Sequence, residues 1–165
     1  MFYNPGRWLE RNDISFEETN FLDILKKSNW LVLNRGEASR VQKNMHLGRI
    51  EGLFDASERL ELIIVTRDKN GSYIYERRGQ KRWNYVPREI LSVNPGQALG
   101  AGDAYAATFL SKMLTGSKIS DAQTLASIAA EEALSYVGSL NQRKLGGASS
   151  VSELVTEARF SRPCK

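Results

Sequence analysis

Gly100-Ala101-Gly102-Asp103, running on into Ala104-Tyr105-Ala106, is the stretch on which the reading of this chain turns. Two glycines flanking one alanine let backbone approach a ligand closely, and beyond them the apolar spacing becomes helical, which predicts a helix over residues 103–114. A helix that begins at such a turn points free N–H groups outward. Those donors, with the positive end of the helix dipole, make an anion site. The same field favours an ionised carboxylate, so Asp103 is placed to accept a proton near neutral pH. An anion cradle beside a positioned carboxylate is what transfer of a phosphoryl group to a hydroxyl requires. Taken alone, the tetrapeptide is also a common way to enter a helix with an acidic first turn.

Working outward, Leu62-Ile63-Ile64-Val65-Thr66 is a continuous apolar run of the kind seen in strands buried on both faces. Trp30-Leu31-Val32-Leu33 predicts a second buried strand ending at Asn34, with a helix start at Gly36-Glu37-Ala38-Ser39. Upstream, Phe21, Leu22, Ile24 and Leu25 share one side of a helix over residues 17–27, and residues 47–60 predict another carrying Ile50, Leu53 and Phe54. After the turn chemistry of Asp68-Lys69-Asn70-Gly71, residues 72–76 and 80–86 alternate as a hairpin broken near Arg78-Gly79. A short strand is predicted over residues 90–93, a helix over 121–137 with Ser120 as its N-cap and Gly138 as its stop, and a final helix over 152–159. Residues 161–165 read as a frayed tail. Strands alternating with helices predict an α/β fold, a mostly parallel sheet flanked by helices, as one domain over residues 1–165.

The bulk numbers agree with a globular domain. The chain has 165 residues, 41% hydrophobic and 25% charged, which argues against disorder and fibrous classes. A net charge of +4 suits a protein that handles anions without identifying nucleic acid as the partner. Cys164 is the only cysteine, so no intrachain disulfide can form and a reducing compartment is expected. The N-terminus lacks a leader-like apolar core, and no run approaches the roughly 20 apolar residues of a membrane helix. A cytoplasmic protein is the expectation.

Two phosphate motifs are excluded. No Gly-x-x-x-x-Gly-Lys-Ser/Thr occurs, and the dinucleotide fingerprint fails because Tyr105 stands where its third glycine belongs. The order of the remaining motifs resembles another group, the ribokinase-like kinases of the PfkB family. Asn34-Arg35-Gly36-Glu37 resembles their Asn-x-x-Glu motif at a strand end. Thr66 followed by Gly71 resembles their Thr-x-Gly-x-x-Gly segment, with Asp68 in place of the first glycine. Gly100 to Ala106 resembles their Gly-Ala-Gly-Asp-Ala-Phe signature. Asn4-Pro5-Gly6-Arg7 is similar to an Asp-Pro-Asn-x-Arg strand end, and residues 126–138 to the helix and glycine beside the adenine pocket.

The resemblance implies ATP and Mg²⁺ as cofactors and a sugar or nucleoside as substrate. Asp103 would be the catalytic base and the backbone of Gly100, Ala101 and Gly102 the anion hole. Glu37, with Asn34, would organise Mg²⁺ largely through water. Asn34, Thr66, Gly71 and Ser127 would line the nucleotide site. The residue-level alternative for Glu37 is an acidic group favouring a helix start. Gln97-Ala98-Leu99 replaces the Asp-Thr-Thr that commonly helps bind a monovalent cation in that family, so no potassium requirement is expected.

The resemblance covers nearly the whole chain but only the C-terminal half of the family's length. A sheet divided there would leave an unpaired edge, so a homo-oligomer or a separate N-terminal half is the expected partner. Alternatively, the chain is a non-catalytic nucleotide-binding or scaffold protein. A weaker alternative is nucleic-acid binding through the hairpin over residues 77–85, where Arg77, Arg78, Lys81 and Arg82 mix with Trp83 and Tyr85; such hairpins are more often solvated edges guarded by charge. His46, without neighbours at ligand spacing, reads as a surface residue. Trp8 and Trp30 read as core or interface, and Met113 as packing beside Phe109 and Leu110.

Overall fold

Among the described residues, continuous apolar runs become the centre of one five-stranded sheet in the order β1-β2-β3-β4-β5. The computed structural model describes residues 1–5, 18–78, 81–85 and 100–134. The strands are β1 (Phe2–Tyr3), β2 (Trp30–Asn34), β3 (Leu62–Thr66), β4 (Ser72–Glu76) and β5 (Lys81–Tyr85). β1, β2 and β3 pair in parallel, whereas β4 is antiparallel to β3 and β5 to β4. The sheet is therefore mixed: parallel through the buried strands and antiparallel through the hairpin.

Helices α1 (Glu18–Lys27), α2 (Arg35–Asn44) and α3 (Leu53–Ala56) cover one face, and α4 (Ala101–Leu114) and α5 (Ile119–Leu134) the other. Successive strand residues point to opposite faces. Leu31, Leu33, Ile63 and Val65 pack with Phe21, Leu25, Val41 and Leu53. Val32, Leu62, Ile64 and Ile74 pack with Tyr105, Ala106, Phe109, Ala122 and Ala126. Covering both faces is why β2 and β3 need apolar residues at every position; each fully buried Leu or Ile contributes about 1.5–3 kcal/mol.

Three helix boundaries differ from the sequence-based expectation. Residues 47–60 hold only a 3₁₀ turn (Ile50–Gly52) and the single-turn α3. The physical reason lies on β4's far end. The Arg77 guanidinium donates to the carbonyls of Phe54 and Ser57 and, at 2.7 Å, to that of Leu60, taking acceptors a longer helix would use itself. It also lies over the Phe54 ring, 5.1 Å from the centroid. One of the four cations of the suspected nucleic-acid hairpin is thus engaged inside the fold. Helix α4 starts at Ala101, two residues before the expected Asp103. Helix α5 starts at Ile119, so Ser120 lies within it and is not its N-cap.

The strand expected over residues 90–93, the helix over 152–159, the tail, Gly138, Trp8 and Gln97-Ala98-Leu99 lie outside the described residues. His46 is exposed, and Trp30 and Met113 pack against the α4 side of the core, as expected. Among the described residues no helix is long and apolar enough to cross a membrane.

Candidate active site

The sheet register gathers the strand-end motifs into one row. Asn34 is opposite Thr66, Thr66 is opposite Ser72, and Ser72 is opposite Tyr85. This row crosses the sheet at the carboxyl ends of β2 and β3, the edge where open α/β sheets bind ligands.

Helix α4 brings its N-terminus to the same edge. Tyr105, in its second turn, hydrogen-bonds Ser72 of the row at 2.9 Å. One turn further on, Phe109 meets Trp30, the first residue of β2, edge to face with centroids 6.4 Å apart. The helix therefore runs from the carboxyl end of the parallel strands toward their amino end.

Two helix N-termini thus flank this edge from opposite faces, and they differ in how their amides are satisfied. At α2 the Asn34 side chain accepts from the Glu37 amide at 2.8 Å, and the Glu37 carboxylate accepts from the Asn34 amide at 2.7 Å. That reciprocal capping box closes the helix on itself. At α4 the N-cap is Gly100, in the left-handed region at φ 93°, and no side chain among the described residues caps it. Its carbonyl accepts the Ala104 amide at 2.9 Å, which leaves the amides of Ala101, Gly102 and Asp103 without intrahelical partners. An anion at this edge would find its donors on α4.

Gly102 sharpens that assignment. Its backbone is helical, so no left-handed conformation demands glycine there. Among the described residues, a Cβ built on it meets nothing within 4 Å. Glycine inside a helix costs about 1 kcal/mol relative to alanine. Neither its conformation nor packing among the described residues requires glycine there, and such open space is what a ligand pressed against the backbone would occupy. Asp103 follows, exposed on the first turn.

The nucleotide segment is a tight turn. The Arg67 amide donates to Gly71 O at 2.7 Å, and the Gly71 amide donates to Asp68 O at 3.0 Å. Gly71 has φ 79° and Asp68 φ 49°, so the position where the resembled motif carries its first glycine is indeed left-handed. Aspartate is among the few side chains tolerated there. The Arg67 guanidinium lies 4.1 Å from the Tyr73 ring centroid.

Glu37 is buried, 2% exposed. Burial, and next the charge of Glu37, push the Tyr3 phenol above its ordinary value. Among the described residues there is no group of three His, Cys, Asp or Glu that could hold a metal. Were Mg²⁺ bound here, Asn34 and Glu37 would be contributors to a shell that water and phosphate oxygens complete. Ser127 is buried in α5, its hydroxyl donating to Gln123 O at 2.9 Å.

A buried polar cluster escaped the sequence reading. Gln123 Nε2 donates to both the backbone O and the Oγ of Ser72 at 3.1 Å, and that hydroxyl pairs with Tyr105. Burial raises the Tyr105 phenol to about 12 against the opposing Ser72 hydrogen bond. The one available signal was a tyrosine where the resembled signature ends in phenylalanine.

The profile of the pfkB family carbohydrate kinases matches residues 10–144 of the chain. No curated protein sequence matches it. Among solved structures, the fold is similar to the nucleoside kinase of Methanocaldococcus jannaschii, a ribokinase-family member, at 25% identity and TM-score 0.68 over 83% of this chain and 42% of that one. A Burkholderia thailandensis nucleoside kinase in complex with ADP-inosine is similar at 20% identity and TM-score 0.74, over 98% and 46%. Arabidopsis thaliana ribokinase complexed with ribose and ATP is similar at 18% and 0.67, over 85% and 44%. The chain spans less than half the length of these structures.

Proposed function

Because the chain belongs to the pfkB family of carbohydrate kinases, we propose that it is the ATP-side half of a phosphotransferase acting on a sugar or nucleoside hydroxyl. The observation that carries this reading is the uncapped N-terminus of α4, with open space at Gly102, set at the carboxyl edge of the sheet beside an exposed Asp103.

Asp103 takes the proton of the acceptor hydroxyl, whose oxygen bonds to the γ-phosphorus as the bond to ADP breaks. The Gly100–Gly102 backbone, with the amides of Ala101, Gly102 and Asp103, stabilises negative charge on the moving group. Thr66, Gly71 and Ser127 line the nucleotide, and Asn34 and Glu37 would hold Mg²⁺ largely through water. Bound Mg²⁺ supplies neutralisation of phosphate charge.

The chain's span of less than half the compared structures favours a second reading: it binds nucleotide, and turnover needs the part of the fold that these residues do not span. ATP binding and turnover with Mg²⁺ across sugars and nucleosides, beside Asp103→Asn, separate the two. Substrate-stimulated turnover lost in the variant supports the kinase. Equal binding without turnover in both proteins supports the second reading, and absence of binding overturns both.

A further inference from the structure

Three buried polar side chains, Ser72, Tyr105 and Gln123, meet on the α4–α5 side of the core, each no more than 3% exposed. They join positions 33 and 51 residues apart in sequence. Each belongs to a different part of the candidate site. Ser72 begins β4 directly after the Thr66–Gly71 turn and pairs with Thr66. Tyr105 lies two residues beyond Asp103. Gln123 is one turn before Ser127 and accepts its hydroxyl.

An apolar trio of similar shape would pack here without desolvating polar groups, so stability alone does not explain the cluster. A fully satisfied buried network instead selects one arrangement of the elements it joins. The Tyr105 ring is already held by stacking on Phe109, 4° from parallel with centroids 6.3 Å apart. What its hydroxyl adds is a fixed distance between α4 and the sheet row.

We infer that Tyr105, Ser72 and Gln123 form a positioning hub that locks the anion-binding turn of α4 to the nucleotide turn and to α5. This deepens the functional reading above and rests on it for its purpose. Tyr105 is a positioning residue, acting through the placement of Asp103 and the α4 amides.

The test is amide hydrogen exchange on the full chain, compared among wild type, Tyr105→Phe, Ser72→Ala, the double variant and Ile63→Val. The last removes a methyl group from the opposite face of the core and serves as a control for global destabilisation. The hub predicts at least tenfold faster exchange at the Ala104, Tyr105 and Ala106 amides in Tyr105→Phe, after correction for global stability against Ile63→Val. Ser72→Ala, which also removes the Gln123 contact, should give the same pattern at these α4 amides, and the double variant no more than the Ser72→Ala effect there, because the bond lost in Tyr105→Phe is already lost in Ser72→Ala. Uniform acceleration like that of Ile63→Val, or additive effects, would overturn the hub. ATP affinity is read on the same samples: if wild type fails to bind ATP while the local exchange pattern holds, the functional reading falls and the hub stands. If wild type binds ATP and exchange is uniform, the hub falls and the functional reading stands.

Discussion

Asn34 and Glu37 cap each other: the Asn34 side-chain oxygen accepts the Glu37 amide at 2.8 Å, and the Glu37 carboxylate accepts the Asn34 amide at 2.7 Å. Two residues expected at the nucleotide and metal site are therefore also the start of α2. Loss of activity on deleting either would mix two causes. Glu37→Gln separates them, since glutamine retains an acceptor for the Asn34 amide but carries no charge. We expect Glu37→Ala to lower stability by about 1–2 kcal/mol in urea unfolding, and Glu37→Gln to stay within about 0.5 kcal/mol. If Glu37 serves Mg²⁺, Glu37→Gln should still raise the Mg²⁺ concentration needed for ATP binding.

Gly102→Ala should move stability and binding in opposite directions. Its Cβ would meet open space among the described residues, and alanine favours helix, so the thermal midpoint should rise by the equivalent of up to about 1 kcal/mol. The same methyl group would occupy the space assigned to the phosphate, so ATP affinity should fall at least tenfold. Unchanged affinity would remove the ligand from this turn.

Asp68 sits at φ 49° where the resembled motif has glycine. Asp68→Ala should destabilise by about 1 kcal/mol, because alanine lacks the local hydrogen bonding that lets aspartate tolerate this region. Asp68→Gly should be neutral or stabilising by a few tenths of a kcal/mol. Chemical denaturation of the two variants checks the contrast.

Tyr105 makes stability sensitive to alkaline pH. Its phenol is raised from 10.0 to about 12 in the folded protein. Between those values the native state holds a proton that the unfolded chain releases. The contribution is thus complete below pH 10 and is lost as pH rises through about 12, amounting to roughly 3 kcal/mol. Wild type should lose its stability advantage over Tyr105→Phe across that window in urea titrations, with a constant difference below it.

Arg77→Lys should be costly although it conserves charge. One ammonium cannot reproduce the planar fork that reaches three carbonyls and lies over Phe54. A loss of about 1–3 kcal/mol is expected. The variant also tests the hairpin, since salt-dependent binding to single-stranded nucleic acid that survives it would assign that binding to the other basic residues.

Local pattern was enough for much of this architecture. Strand β3 occupies the predicted residues 62–66, and β2 ends at Asn34, because strands covered on both faces need uninterrupted apolar residues. The glycine-flanked entry to α4 was legible too, as the left-handed φ of Gly100 is a property of one residue. Long-range packing settled the rest. Helix α3 shrank to one turn because Arg77, about twenty residues away in sequence, takes its carbonyls. The Tyr105–Ser72–Gln123 hub was invisible because its partners come from three elements whose sequence spacing encodes no contact. The Asn34–Thr66–Ser72 row exists only through strand register, which cross-strand pairing and burial of the sheet faces fix together. Motif residues announce their chemistry locally, but the distances between them are set by the core that packs beneath.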